Sequence, residues 1–376
     1  MLPLNYLVFM PYGFLFFIMM MFGTIYSLSA SHWLAVWGGL EINLIAFIPL
    51  MVYRGTVLET ESAIKYFIFQ AVGSAMIMFS SILSFGSDFA WDFSSSSSMM
   101  AMSKGILILI MGLLLKLGAF PLHYWFPGVV AGLSWLTNLL LFTWQKLAPL
   151  FLLFSLFCLW EGSILFFLMM VVAAGSSIVG GIGGVNQTQL RALLAYSSIA
   201  HMGWMIFCCC LSESGVKIYF MIYVFITLCV FLSVWESDMN LIFQVFSSFL
   251  GKNVVLRALV IILLLSLGGI PPLLGFVPKW VVINLTVSSS MVVTLGFLIL
   301  GSLISLFYYL SLMFSGVFSA TPVFLKEMYL SSYSKSSLMS SIMVLGVFTN
   351  LVGGMFVLKN LYSGDFMYAM GLFNKP

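Results

Sequence analysis

Apolar runs of about twenty residues recur along almost the whole chain, separated by connections of a few polar residues. A run of this length crosses the hydrocarbon of a bilayer as a helix, since roughly 20 residues rising 1.5 Å each cover about 30 Å. Nothing else in the sequence limits the fold as much. In lipid every backbone amide needs a partner within the protein, which leaves helices or closed barrels. The alternating ten-residue segments of a barrel do not occur, so the expected fold is all-α and polytopic.

Composition closes the soluble alternatives. Only 7% of the residues are charged and 62% are hydrophobic, against about 25% charged in a soluble domain whose surface must hold water. The 14 Lys plus Arg and 11 Asp plus Glu leave a net charge of +3 with no basic block. Aqueous enzymes, disordered chains and nucleic-acid binders are excluded on that ground. The five cysteines, Cys158, Cys208, Cys209, Cys210 and Cys229, lie in apolar stretches without CxxC spacing. They read as small buried hydrophobes, and no metal or iron–sulfur site is expected.

The apolar windows place about eleven spans, at 3–24, 33–53, 61–85, 102–121, 129–158, 162–185, 190–211, 216–235, 254–284, 291–315 and 337–359. Together they make one transmembrane domain over 1–376. Polar connections at 86–100, with Ser94 to Ser98, and at 319–336 are too short for a hydrophilic domain. No Lys or Arg precedes Arg54. A secretory signal or an imported precursor would carry basic residues there, so insertion is expected to rely on the first spans or on synthesis inside an organelle. Arg54, Arg191, Lys252, Arg257, Lys326 and Lys335 fall on the side of the N-terminus, and Lys104, Lys217, Lys359 and Lys375 on the other. This bias puts the N-terminus inside.

Two spans carry helix breakers at depth. One is Lys116-Leu117-Gly118-Ala119-Phe120-Pro121, the other Gly268-Gly269-Ile270-Pro271-Pro272 followed by Pro278-Lys279. Proline removes an amide donor and clashes with the preceding turn, so both helices are expected to be discontinuous. Irregular backbone at membrane depth survives only against protein or a wet cavity, and transporters place ion sites there.

The ionisable groups inside spans are Glu41, Lys116, Lys146 and Lys279, with His123 and His201, and Lys65 near the start of a span. A central charge costs roughly 2.5–3.5 kcal/mol to insert, so four cost on the order of 10 kcal/mol. Two readings are open. Each group either fixes helix register in a buried ion pair or snorkels to the interface, or the set handles protons. One acid cannot neutralise three lysines, which favours the second. A charge about 7 Å away at an effective dielectric near 20 contributes about 2.4 kcal/mol, enough for a Glu41–Lys116 pair that opens and closes to load and unload a lysine. The imidazoles of His123 and His201 suit relay or packing alike. Lys65 follows Glu61 by four residues, an arrangement that stabilises a helix. Gly180-Gly181-Ile182-Gly183-Gly184 ends an apolar span and reads as a close helix contact, since no phosphate-binding context surrounds it.

Several stretches read together resemble a known family. They are Glu41-Ile42-Asn43 through Pro49, Ala63-Ile64-Lys65-Tyr66-Phe67, Lys116-Leu117-Gly118 through His123-Tyr124-Trp125-Phe126-Pro127, and Thr143-Trp144-Gln145-Lys146-Leu147-Ala148-Pro149. To these add Asn186 through Arg191, Leu194 through Met205, and Leu265 through Trp280. They resemble the mitochondrially encoded, antiporter-like membrane subunits of respiratory complex I, in a short animal form lacking three N-terminal helices of bacterial relatives. The resemblance implies an antiporter-like fold and proton translocation driven by quinone reduction elsewhere. Glu41 and Lys116 match the family's buried acid and paired lysine, Lys146 its central lysine, and Lys279 its terminal lysine on the second broken helix. It implies other complex I subunits and lipids such as cardiolipin as partners, and a multi-pass place in the mitochondrial inner membrane with the N-terminus in the matrix. FMN, iron–sulfur clusters and ubiquinone then belong to other subunits, with no cofactor in this chain. The family's acid after the His-x-Trp-x-Pro proline is replaced by Gly128, so no role of that acid carries over. A free-standing or Mrp-type cation/proton antiporter and a purely structural spacer are the alternatives.

Overall fold

The computed structural model describes residues 11–85, 99–159, 164–237, 254–287, 291–318 and 344–355. Their regular elements are all helices. In chain order these are α1 (Pro11–Ser29), α2 (Trp33–Met51), α3 (Val57–Phe85), α4 (Met99–Leu117), α5 (Trp125–Gly132), α6 (Trp135–Leu159) and α7 (Ile164–Val185). Then follow α8 (Leu190–Cys209), α9 (Glu213–Ser237), α10 (Val254–Gly268), α11 (Phe276–Val287) and α12 (Val292–Phe318), and α13 (Val344–Met355). The chain divides into two compact units, Met1–Leu168 and Met169–Pro376, with the boundary inside α7.

Eight of the described helices are long and apolar enough to cross a membrane: α1, α2, α3, α6, α7, α8, α9 and α12. Gly105–Leu117 of α4, Leu259–Gly268 of α10 and all of α13 are shorter apolar helices. The sequence places about eleven spans, and three of those windows differ from the helices observed. The window at 102–121 ends at Leu117, 129–158 is two helices, α5 and α6, and 254–284 is two helices, α10 and α11. After Leu117 and after Gly268 a glycine at positive φ and a following proline stop the backbone ladder, and between α5 and α6 the chain turns extended at Leu133, while the apolar composition runs on. The connections at 86–98 and 319–343, and the outer parts of the first and last windows, lie outside the described residues.

In the first unit, small residues set the helix spacing. A Cβ on Gly39 would stand 2.8 Å from the Gly23 carbonyl oxygen and 2.7 Å from the Ser27 nitrogen, so α1 and α2 touch backbone to backbone. Gly73 and Gly112 do the same for α3 and α4, and a Cβ on Gly73 would lie 3.2 Å from Lys116 Cγ. Without a hydrophobic force between helices in lipid, such close approach is how they adhere. α3 opens on a side-chain N-cap, in which the Glu59 amide donates to Thr56 Oγ1 at 3.3 Å.

The second unit uses the glycine-rich end of α7 in the same way. Gly180 and Gly183 face α8 at Ala200 and Tyr196, and Gly181 and Gly184 face α12 at Gly301 and Tyr308. The expected close contact is therefore present. α13 covers the interruption between α10 and α11. Its Gly354 sits on the Pro272 carbonyl, where a Cβ would not fit, and its Asn350, fully buried, accepts the Leu274 amide through Oδ1 at 3.0 Å. That bond satisfies an amide that the helix break leaves without an i−4 partner.

Two substitutions probe this packing. Gly39→Val forces α1 from α2 and is expected to cost about 1–3 kcal/mol, read as a lower thermal midpoint of the purified protein. Asn350→Leu orphans the Leu274 amide at a cost of about 1–3 kcal/mol. Hydrogen exchange at that amide should then rise by roughly one to two orders of magnitude, with exchange in α1 unchanged.

Candidate functional site

Each helix interruption builds a polar centre from the carbonyls it exposes. α4 ends in a Schellman motif: Gly118, at φ +67°, donates to the Leu115 carbonyl at 3.2 Å, and Ala119 donates to Leu114 at 3.2 Å. The Leu115 carbonyl also receives the Trp125 indole N–H at 3.1 Å, and the Lys116 carbonyl receives the Gln70 side-chain amide at 3.4 Å. The last turn of α4 is thus held by side chains from α5 and α3. Lys116 stands in that turn, where the carbonyl end of the helix dipole favours a cation.

Lys146 lies on α6, 2% exposed. Its ammonium sits 5.2 Å from the Phe126 ring centre and 5.3 Å from that of Phe142. The electron-rich ring faces favour a cation there. Phe126 is also what Gly118 packs against, since a Cβ on Gly118 would meet Phe126 Cβ at 3.2 Å. One aromatic side chain therefore joins the break beside Lys116 to the seat of Lys146.

A cavity of about 20 Å³ opens between the two lysines, lined among others by Asn43, Tyr66, Lys116, Trp125, Gln145 and Lys146. That exceeds the roughly 10–15 Å³ needed to seat a water, and several polar groups border it. Asn43 Nδ2 donates to Gln145 Oε1 at 2.9 Å, and Gln145 Nε2 donates to Asn43 Oδ1 at 3.0 Å. The Tyr66 hydroxyl donates to the same Oε1 at 3.5 Å.

Glu41 lies two residues before Asn43 on α2. One of its carboxylate oxygens is buried without a hydrogen bond, and the group acts electrostatically on Lys116. The two are not in direct salt-bridge contact: among the described residues the ion pairs are Lys65–Glu61, 2.6 Å, and Lys217–Glu213. Both pairs are half-exposed helical neighbours four residues apart. Lys65 therefore stands outside the buried set. His123 is buried, with Nδ1 donating to the Pro121 carbonyl at 3.2 Å and its ring 4.2 Å from that of Tyr124. It does not line the cavity. A Cβ at Gly128 would meet nothing within 4 Å, so close backbone packing is not what requires the glycine there.

The second unit holds Lys279 and His201 at the other interruption. Lys279, in the first turn of α11, reaches back to donate to the Gly268 carbonyl at 2.8 Å. Gly269, at φ +83°, makes room, since a Cβ there would lie 2.8 Å from Lys279 Nζ. His201 Nε2 contacts the adjacent Leu267 carbonyl at 3.2 Å. A carbonyl only accepts, so Nε2 carries the hydrogen. In the neutral ring Nδ1 then accepts from the Tyr219 hydroxyl at 2.9 Å. Two basic side chains thus occupy consecutive carbonyls at the open end of α10. The structure brings Glu41, Lys116 and Lys146 together in the first unit, and His201 and Lys279 in the second.

Asn43, Tyr66, Gln145 and Tyr219 are site residues that a reading for charge passes over. Their signal is an amide or hydroxyl within an apolar run, at helical spacing from a buried charge.

Residues 30–305 match the family described as NADH:quinone oxidoreductase/Mrp antiporter, TM. The chain is 38% identical over 329 residues to NADH-ubiquinone oxidoreductase chain 2 of Squalus acanthias, covering 88% of this chain and 91% of the relative. A chain in the structure of respiratory complex I from Thermus thermophilus with bound Aureothin superposes with a TM-score of 0.78 at 22% identity, covering 91% of this chain and 77% of that one. One in the Mrp complex from Dietzia sp. DQ12-45-1b superposes with a TM-score of 0.73 at 16% identity, covering 80% and 59%. The two likenesses in structure show a shared fold, while the identity in sequence decides between the groups that share it. The chain belongs to the NADH-ubiquinone oxidoreductase chain 2 family.

Proposed function

We propose that this chain is a proton-translocating membrane-arm subunit of a respiratory NADH:ubiquinone oxidoreductase. The observation that carries the reading is the excess of buried basic groups over acids at two interrupted helices. Lys116, Lys146 and Lys279 are each at least 92% buried, and one partly buried carboxylate, Glu41, lies within electrostatic reach of Lys116. Lys279 sits on a carbonyl and Lys146 over two ring faces, neutral groups that carry no naked anion once a proton has left. Glu41, Lys116, Lys146 and Lys279 are the groups assigned to carry protons, with His201 as a relay beside Lys279. His123, away from the cavity, has less to recommend it. Lys65, in its exposed pair, has least.

Moving one charge against 100 mV takes about 2.3 kcal/mol, so the driving energy comes from outside the chain. In this reading it is quinone reduction in other subunits, which also hold FMN, iron–sulfur clusters and ubiquinone, and the two units act as one antiporter-like domain. The matching relatives are animal NADH-ubiquinone oxidoreductase chains, which supports a place in the mitochondrial inner membrane. The loop charges support a matrix-side N-terminus. Exposed Phe14, Ile18, Phe22 and Ile25 on α1, and Leu300, Leu303 and Phe307 on α12, suit lipid such as cardiolipin or neighbouring subunits. The alternative of a free-standing antiporter shares the fold, and identity to complex I chains weighs against it.

Two measurements test the proposal. On a native gel of gently solubilised membranes the chain should migrate with a large band that oxidises NADH; migration alone would favour the antiporter. In that complex, Lys146→Met should lower proton movement at least about tenfold, equivalent to about 1.4 kcal/mol, with assembly intact. Lys65→Ala should change it less than about twofold, as for an exposed pair. Undiminished proton movement in assembled Lys146→Met would leave the spacer.

A further inference from the structure

We infer that the Asn43–Gln145 amide pair is the positioning element that fixes Lys146 in depth against Glu41, at the cavity Lys146 shares with Lys116, for proton transfer. The inference rests on the proton-moving role proposed above and adds two residues to it.

The pair is a ring of two opposed hydrogen bonds, 2.9 and 3.0 Å, joining α2 to α6. On α2 it lies two residues after Glu41, and on α6 it directly precedes Lys146. Trp144, the next residue back, donates its indole N–H to Thr24 Oγ1 of α1 at 3.1 Å. Three consecutive residues of α6 therefore face α1, α2 and the cavity. A slip of one residue, about 1.5 Å along either helix, breaks both amide bonds at once, so the ring defines the depth of Lys146 relative to Glu41. Gly23 and Gly39 seat α2 against α1 at the same level, with a Cβ on Gly23 falling 2.8 Å from the Asn43 amide nitrogen.

Adhesion alone does not explain amides at these positions. Each hydrogen bond is worth only about 0.5–1.5 kcal/mol net, and apolar groups of the same shape would serve helix contact equally well. Both amides border the cavity shared by the lysines. A carboxamide has two N–H donors and an oxygen with two lone pairs, and the ring uses one donor of each. The remaining N–H groups are able to orient water between the lysines. The amides do not ionise, so a passing proton is not trapped on them, as it would be on a carboxylate or an imidazole.

The test is turnover per assembled complex in proteoliposomes, read as NADH-driven proton movement. Asn43→Leu and Gln145→Leu are each expected to lower it at least about fivefold, and the exchanged double variant Asn43→Gln/Gln145→Asn, which restores the ring, to return it to within about twofold of the parent. A purely structural role would reduce the amount assembled and leave turnover per complex unchanged. Should the leucine variants fail to assemble, Gln145→Met, which keeps the side-chain length, is read in their place. Leucine or methionine variants with parental turnover overturn the inference, as does a double variant no faster than the single ones. Lys146→Met, run in parallel, separates the two levels. If it too turns over normally, the proton-moving role itself fails; if it is slow while the amide variants are not, only the positioning role falls.

Discussion

A helix interrupted within a bilayer exposes carbonyls and amides that lipid cannot satisfy, and two of the interruptions among the described residues have a lysine beside them. Each such group costs several kcal/mol if left unpaired in hydrocarbon. The site follows from how these groups are answered. At the first break the donors are the Trp125 indole and the Gln70 amide; at the second they are Lys279 and His201. Basic side chains are suited to the task because the carbonyl end of a helix carries partial negative charge. The same geometry that completes the backbone thus holds protonatable nitrogens deep in the protein.

The two breaks use this in different ways. Lys116 stays on the helix that ends, and its backbone carbonyl is taken by Gln70 while the residue lines the cavity. Lys279 starts the helix that resumes, and its ammonium itself closes the gap by binding Gly268. Release of the Lys279 proton therefore weakens a bond that pins α11 to the end of α10, whereas Lys116 has no comparable duty. Protonation at the second break is tied to backbone position more directly than at the first.

Much of this was written in residue types that the sequence displays openly. Long apolar runs gave the helices, Gly118 with Pro121 and Gly269 with Pro271 gave the breaks, and single charges amid leucines gave Lys116, Lys146 and Lys279. Other parts were hidden for physical reasons. The division of 129–158 at Leu133 escapes a hydropathy window because both sides are apolar. Phe126 and Phe142 look like any core residue until Lys146 lies over them. Asn350 sits more than seventy residues from the amide it caps, a pairing that only the fold creates.

The lack of direct salt-bridge contact between Glu41 and Lys116, among the described residues, bears on how such a site works. Carboxylate contact would hold each ammonium by several kcal/mol in a medium of low dielectric, and a proton so held would not move on. Carbonyl oxygens and ring faces solvate the cation more weakly and are equally compatible with the neutral amine. Glu41 acts on Lys116 through space, so a shift of α2 against α4 changes the balance without breaking a bond. The glycine contacts that seat α2 on α1, and the amide ring that ties it to α6, restrict that shift to what the electrostatics can use.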